Sequence, residues 1–179
     1  MPINKNILKN YLNPLFIETG SLIGLGIQAA IDAGFKKIHS IELSEKYYNY
    51  CKNKFGNKAV LHLGDSGIIL EDILKNIYEP YTIFLDSHFS GGDTSKGSEN
   101  SPLLKELDII KKYYIIDSII IIDDIRCCDN SYDKKYRFEF NKNDIIKNLK
   151  EINPNFTIQY VDSYRGNKLM FKEDILTVS

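Results

Sequence analysis

Five short apolar runs, each stopped by a carboxylate, constrain this chain more than any other feature. They are Leu15-Phe16-Ile17, Lys37 to Ile41, Ala59 to Leu63, Tyr81 to Leu85 and Ser118 to Ile122. The acids that follow are Glu18, Glu42, Asp65, Asp86 and the pair Asp123-Asp124. Runs this short and this apolar fit strands buried on both faces, as in a parallel sheet. Between them lie amphipathic segments that read as helices: Ile23 to Ala33, Ser44 to Phe55, Ile68 to Ile77, Leu103 to Tyr114 and, later, Asp144 to Glu151. Gly34 is placed as a C-cap and Ser44 as an N-cap. Phe156 to Val161 and Lys168 to Lys172 read as two last strands able to pair antiparallel. The alternation predicts a doubly wound, mostly parallel α/β sheet of seven strands with an antiparallel C-terminal pair.

In such a sheet, ligands bind beyond the carboxyl ends of the strands. Five acids gathered there repel one another unless a cation or a set of hydrogen-bond donors satisfies them. Helix capping accounts for Asp65 and Glu18 but poorly for the whole set. The first loop reads Glu18-Thr19-Gly20-Ser21-Leu22-Ile23-Gly24. It matches neither the dinucleotide nor the P-loop fingerprint. It offers no Lys or Arg to a phosphate, and Glu18 repels one. A ligand with a cationic amino-acid end and a sulfonium suits it better, with Gly20 and Gly24 turning the chain closely around it and the helix N-terminus facing its carboxylate. Glu42 falls 24 residues after Glu18, near the spacing at which an acid meets ribose hydroxyls. Asp65 and Ser66 are placed for an adenine edge.

Glu18-x-Gly20-x-x-x-Gly24, Glu42, Gly64-Asp65-Ser66 and Asp86, in this order on successive strand ends, resemble the motifs of the class I S-adenosylmethionine (SAM)-dependent methyltransferases. The resemblance runs from Phe16 to Asp124 and takes in the terminal strand pair. It implies a Rossmann-like sheet binding SAM, with Glu18, Thr19, Gly20, Ser21 and Gly24 around the methionine part, Glu42 at the ribose, Asp65 and Ser66 at the adenine, and Asp86 completing the cofactor site.

A second constellation follows the fourth and fifth runs. Asp86, Asp123 and Asp124 end strands that are neighbours in this topology, and three carboxylates in a cleft suit Mg²⁺. His88, two residues after Asp86, is a candidate general base, so the catalytic pair is His88 with Asp86. The set resembles the metal-dependent, macrocin-type sugar O-methyltransferases, in which an Asp-x-Asp and an Asp-Asp hold magnesium. Here His88 stands at the position of the second carboxylate. The resemblance implies methyl transfer to a hydroxyl of a sugar or similar vicinal-hydroxyl small molecule. Ion pairing of Asp123 with Arg126, without metal, is the plainer alternative. A metal-independent methyltransferase, or a SAM- or nucleotide-binding module without catalysis, also fits the motifs. A dinucleotide oxidoreductase is disfavoured by Glu18 and the missing glycines.

The remaining features bound the context. The 179 residues suit one domain, residues 1–179. The stretch Phe89 to Ser101, with Gly91-Gly92 and Gly97 as hinges, is read as a lid loop over the acceptor. Net charge is -1, without the basic field of a nucleic-acid binder. The polar, helix-like Met1 to Asn13 lacks the apolar core of a signal peptide, and no apolar run reaches the ~18 residues of a membrane span. Three cysteines form neither a disulfide framework nor a C-x-x-C pair. A cytoplasmic, reducing setting is expected, with no nucleic acid and no membrane as partners and a homo-oligomer left open. His39 and His62 read as packed strand residues, Cys127 and Cys128 as ordinary thiols.

Overall fold

A computed structural model describes residues 3–89, 101–165 and 168–179. The elements follow the expected alternation: α1 (Lys5–Leu8), β1 (Leu15–Thr19), α2 (Leu25–Ala33), β2 (Lys37–Glu42), α3 (Glu45–Phe55), β3 (Val60–Leu63), α4 (Ser66–Leu74), β4 (Tyr81–Leu85), α5 (Leu103–Tyr113), β5 (Ile119–Ile122), α6 (Lys142–Ile152), β6 (Ile158–Arg165) and β7 (Lys168–Val178). They build one seven-stranded sheet in the order β3-β2-β1-β4-β5-β7-β6. The first five strands are parallel, and β7 pairs antiparallel with both β5 and β6. The strand order reverses between β1 and β4, where a doubly wound sheet opens its crevice.

Every residue of β1 and β4 is buried, because helices cover both faces. Leu15, Ile17, Tyr81, Ile83 and Leu85 pack with α4, α5 and α6. Phe16, Ile38 and Phe84 pack on the other side with α1, α2 and α3. Full burial of a side chain such as Phe16 contributes about 1.5–3 kcal/mol. Side chains alternate along a strand, so the last residues of β1 divide between the faces. Glu18 follows Phe16 toward α2, and Thr19 follows Ile17 toward α5.

The C-terminal pair departs from the expectation. The buried part of β7 is Asp174 to Val178, beyond the expected strand, and Ile120 to Ile122 register with Val178 to Leu176. Glu173-Asp174 breaks the apolar pattern in the sequence; the structure absorbs it with a positive φ of 50° at Glu173 and an irregular register opposite Val161 to Ser163. Helix α6 starts two residues early because Asn141 and Asp144 form a capping box. Of the expected N-terminal helix, Lys5–Leu8 is helical. Residues 90–100 of the expected lid lie outside the described residues. No described helix is long and apolar enough to cross a membrane.

Candidate active site at the carboxyl edge of the sheet

Glu18 forms the floor of the first loop. In the parallel register it lies opposite Ser40, whose Oγ donates to Glu18 Oε2 at 2.6 Å. Ser21, also buried, extends the chain of hydroxyls at 2.6 Å from Ser40 Oγ. The other side of the carboxyl lies under α2, where Gly26 presents no side chain; a Cβ there would collide with Glu18 Oε1. Burial pushes the Glu18 pKa well above the carboxylate range. Ser40 works against that shift, and the like charges of Asp86 and Glu42 add to it. Gly20 and Gly24 hold the loop with φ of 89° and 76°, which side chains rarely adopt. Gly20 lies against the Asp86 backbone and Gly24 against the Phe55 ring.

Glu42, at the end of β2, is 7% exposed. Its two carboxylate oxygens accept the N–H groups of Leu22 and Ser44, each at 2.7 Å. Leu22 has a φ of 46°, so the carboxylate fixes the first loop in a conformation that a leucine does not favour. Asp65 caps α4 and accepts from Gly67 N–H at 2.8 Å. Thr19 and Ser66, expected among the ligand contacts, are buried. Sequence reasoning passed over the exposed apolar side chains Leu22, Leu43, Leu63 and Ile68, which lie at or just after the ends of β1, β2 and β3 beside these acids. Their position next to Glu42 and Asp65 was the available signal.

On the far side of the crevice, His88 stands between two carboxylates. Its Nε2 is 2.6 Å from Asp124 Oδ2 and its Nδ1 3.3 Å from Asp86 Oδ1. The imidazole is 7% exposed and meets the Phe138 ring edge-on, with centroids 5.7 Å apart. Burial alone lowers its pKa, but the charges and hydrogen bonds of Asp124 and Asp86 outweigh burial and raise it to about 10. Asp124 shows the reciprocal effect: burial raises its pKa, while His88 and Arg126 pull it below its ordinary value. The other oxygen of Asp124 pairs with Arg126 Nη1, which also pairs with Asp174. Arg126 packs over the Phe171 ring, 4.1 Å from its centroid. The expected Arg126 partnership therefore forms with Asp124 rather than with Asp123.

Asp123 is turned differently. Its Oδ1 accepts the Asp124 N–H at 2.8 Å, and it lines a narrow cavity with His88, Glu106 and Phe138. Burial and the charges of Asp124 and Asp86 raise its pKa well above the usual range. Among the described residues, two groups of side chains bring ligand atoms within 4.8 Å of one another: Asp86, His88 and Asp124, and Asp123, Asp124 and Asp174. The expected trio Asp86, Asp123 and Asp124 is thus split between them. The first group faces the crevice and offers two oxygens and a nitrogen. Such a set fits Mn²⁺, Fe²⁺ or Zn²⁺ more readily than Mg²⁺, which prefers oxygen.

No family model matches the chain, and no curated protein matches it. Solved structures do. An O-methyltransferase from Bacillus cereus in complex with SAH superposes with a TM-score of 0.67 at 15% identity, covering 97% of this chain and 77% of that one. An SAH-bound methyltransferase from Podospora anserina gives 0.64 at 14% identity, covering 97% and 74%. A candidate rRNA methylase from Clostridium thermocellum gives 0.66 at 13% identity, covering 99% and 98%. At these identities the likeness is one of architecture: this chain has the seven-stranded, Rossmann-like fold of the SAM-dependent methyltransferases.

Proposed function

We propose that this protein is a SAM-dependent O-methyltransferase acting on a hydroxyl of a small molecule, of the sugar or vicinal-hydroxyl class. The observation that carries the reading is the division of the crevice at the β1–β4 switch point. Glu18, Glu42 and Asp65 lie on one side, and Asp86, His88 and Asp124 on the other. The first side suits the cofactor. Glu42 retains lone pairs for ribose hydroxyls, Leu43, Leu63 and Ile68 present apolar surface beside Asp65, and the acidic floor favours a cationic ligand. Bound there, SAM supplies an electrophilic methyl on a sulfonium.

The second side handles the acceptor's proton. In the free protein His88 holds a proton between two carboxylates. It becomes a base only when another positive charge offsets Asp86 and Asp124. The cofactor's sulfonium is one such charge. A divalent cation on Asp86, His88 and Asp124 is another; when bound it would acidify the acceptor hydroxyl directly. That ligand set differs from the one expected of the macrocin-type enzymes by the exchange of His88 for Asp123. The apolar wall at Phe138 excludes water from the imidazole.

Calorimetric titration with S-adenosylhomocysteine (SAH), then a screen of sugars and diols with labelled SAM, tests the reading. Each is run with EDTA, Mg²⁺ and Mn²⁺. Micromolar SAH binding and a methylated hydroxyl product are expected, with Mn²⁺ restoring more of the EDTA-treated activity than Mg²⁺. Absence of SAH binding sinks the cofactor assignment. A methylated hydroxyl product formed equally well in EDTA removes the cation and leaves His88 as the sole base.

A further inference from the structure

Two of the chain's three histidines take no part in the crevice. His39 lies in β2 and His62 in β3, an edge strand of the sheet. In the parallel register His39 is opposite Val60 and His62 opposite Ile41. The two histidines are therefore diagonal neighbours on one face, the face that Ile41 shares with the α4 side of the core. Their rings are inclined by 25°, with centroids 5.1 Å apart. One nitrogen of each is turned toward the other, with His62 Nε2 at 3.1 Å from His39 Nδ1. Both side chains are half-buried, and among the described residues the histidine ion pairs belong to His88. Burial lowers the pKa of both rings, and His39 lowers that of His62 further, so both are neutral at pH 7 and keep a lone pair for a ligand.

We propose that His39 and His62 form a two-histidine chelate for a divalent transition cation of the Zn²⁺ class, which ties the edge strand β3 to β2. Neutral imidazole suits such ions, whereas Mg²⁺ demands oxygen. Two nitrogens held by one tetrahedral Zn²⁺ at about 2.0–2.1 Å stand roughly 3.3 Å apart, so the rings need only turn slightly from their hydrogen-bonded arrangement. The ring that donates that hydrogen bond becomes a ligand once its proton has moved to its other nitrogen. Both ligands then remain neutral, and water completes the shell on the exposed side. Strand β3 pairs with β2 alone, so a bond across the pair acts where the sheet is held from one side only. The chelate lies just before the strand ends, where Gly64 N–H donates to Glu42 O at 2.9 Å. The site is separate from the crevice cation set and does not depend on methyl transfer.

Zinc titration of the full chain carrying His88→Asn, which removes the crevice nitrogen from competition, tests the site. Calorimetry should show one Zn²⁺ bound with micromolar affinity and no heat from Mg²⁺. Adding His39→Gln or His62→Gln should weaken zinc binding by about tenfold or more. The His39 and His62 imidazole signals should shift together in the NMR titration. At zinc a hundred times its dissociation constant, exchange at the Gly64 amide should slow by about tenfold or more. Absence of zinc binding, equal affinity in the two glutamine variants, unmoved imidazole signals or unchanged Gly64 exchange each overturns the proposal. If one glutamine variant fails to fold, the other carries the comparison. If His88→Asn fails to fold, the parent protein decides, because its imidazole signals report the pair and His88 separately.

Discussion

Glu18 occupies the space that a side chain at Gly26 would need: the carboxyl of the first strand end lies beneath the first turn of α2, and only a glycine lets the two approach. Replacing Gly26 by Ala forces the helix or the carboxyl to move, and over-packing of this kind costs about 1–3 kcal/mol. Gly26→Ala is therefore expected to lower stability by that amount in urea unfolding and to weaken SAH binding, because the displaced carboxyl shifts Ser40 and Ser21. Unchanged stability would show that α2 is free to slide.

Glu42 is expected to matter twice, since it holds the strained Leu22 amide and faces the crevice. Glu42→Ala loses charge-assisted hydrogen bonds, and SAH affinity should fall by roughly 1.5–3 kcal/mol. Exchange at the Leu22 amide should rise with no ligand present. A variant that binds as the parent does removes Glu42 from the cofactor site.

His88 and Glu18 both have raised pKa values, and both give stability the same pH trend. His88 has a folded pKa of about 10, above its ordinary 6.5. Its contribution to stability is complete below about pH 6.5 and is lost as the pH rises through 10. Glu18 also titrates high when folded, so its contribution is present below about pH 4.5 and declines as the pH rises toward its folded value. His88→Asn should flatten the loss of stability between about pH 7 and 10, and Glu18→Gln the loss that begins near pH 5. Unfolding curves at spaced pH values check both; a parallel fall in parent and variant contradicts the assignment.

Much of this was legible in the sequence because apolar period and strand-end acids are local signals. Tyr81 to Leu85 was read with its exact bounds, and the parallel order followed from helices of crossover length between the strands. The site was legible as a set of strand ends and less so as contacts. Which oxygen of Asp124 meets His88, and that Asp123 turns away, depends on a left-handed φ of 57° at Asp124, which no local pattern announces. Ser40 could be paired with Glu18 only through the register of β1 with β2. Glu106 lies on a helix among lysines and leucines, and nothing near it in sequence marks it as buried. Asp174 was hidden inside a strand, where the acid pair with Glu173 interrupted the apolar pattern that reveals the other strands.

Asp174 supports the last expectation. It accepts the Arg126 backbone N–H at 3.2 Å and the Ser163 hydroxyl at 3.0 Å, and it pairs with the Arg126 guanidinium. Arg126 in turn holds one oxygen of Asp124, leaving the other for His88. Asp174→Asn preserves shape and hydrogen bonding but leaves Arg126 with one carboxylate instead of two. Loss of a fully buried partner costs about 3–5 kcal/mol. Arg126 is 21% exposed, and solvent screening reduces that to about 1–3 kcal/mol. The freed guanidinium charge then falls more heavily on Asp124, which weakens its grip on His88. Asp174→Asn is therefore expected to lower stability by about 1–3 kcal/mol and to lower the His88 pKa, read from its imidazole resonances by NMR. An unchanged His88 titration with reduced stability would confine Asp174 to the β7 junction and separate it from the crevice.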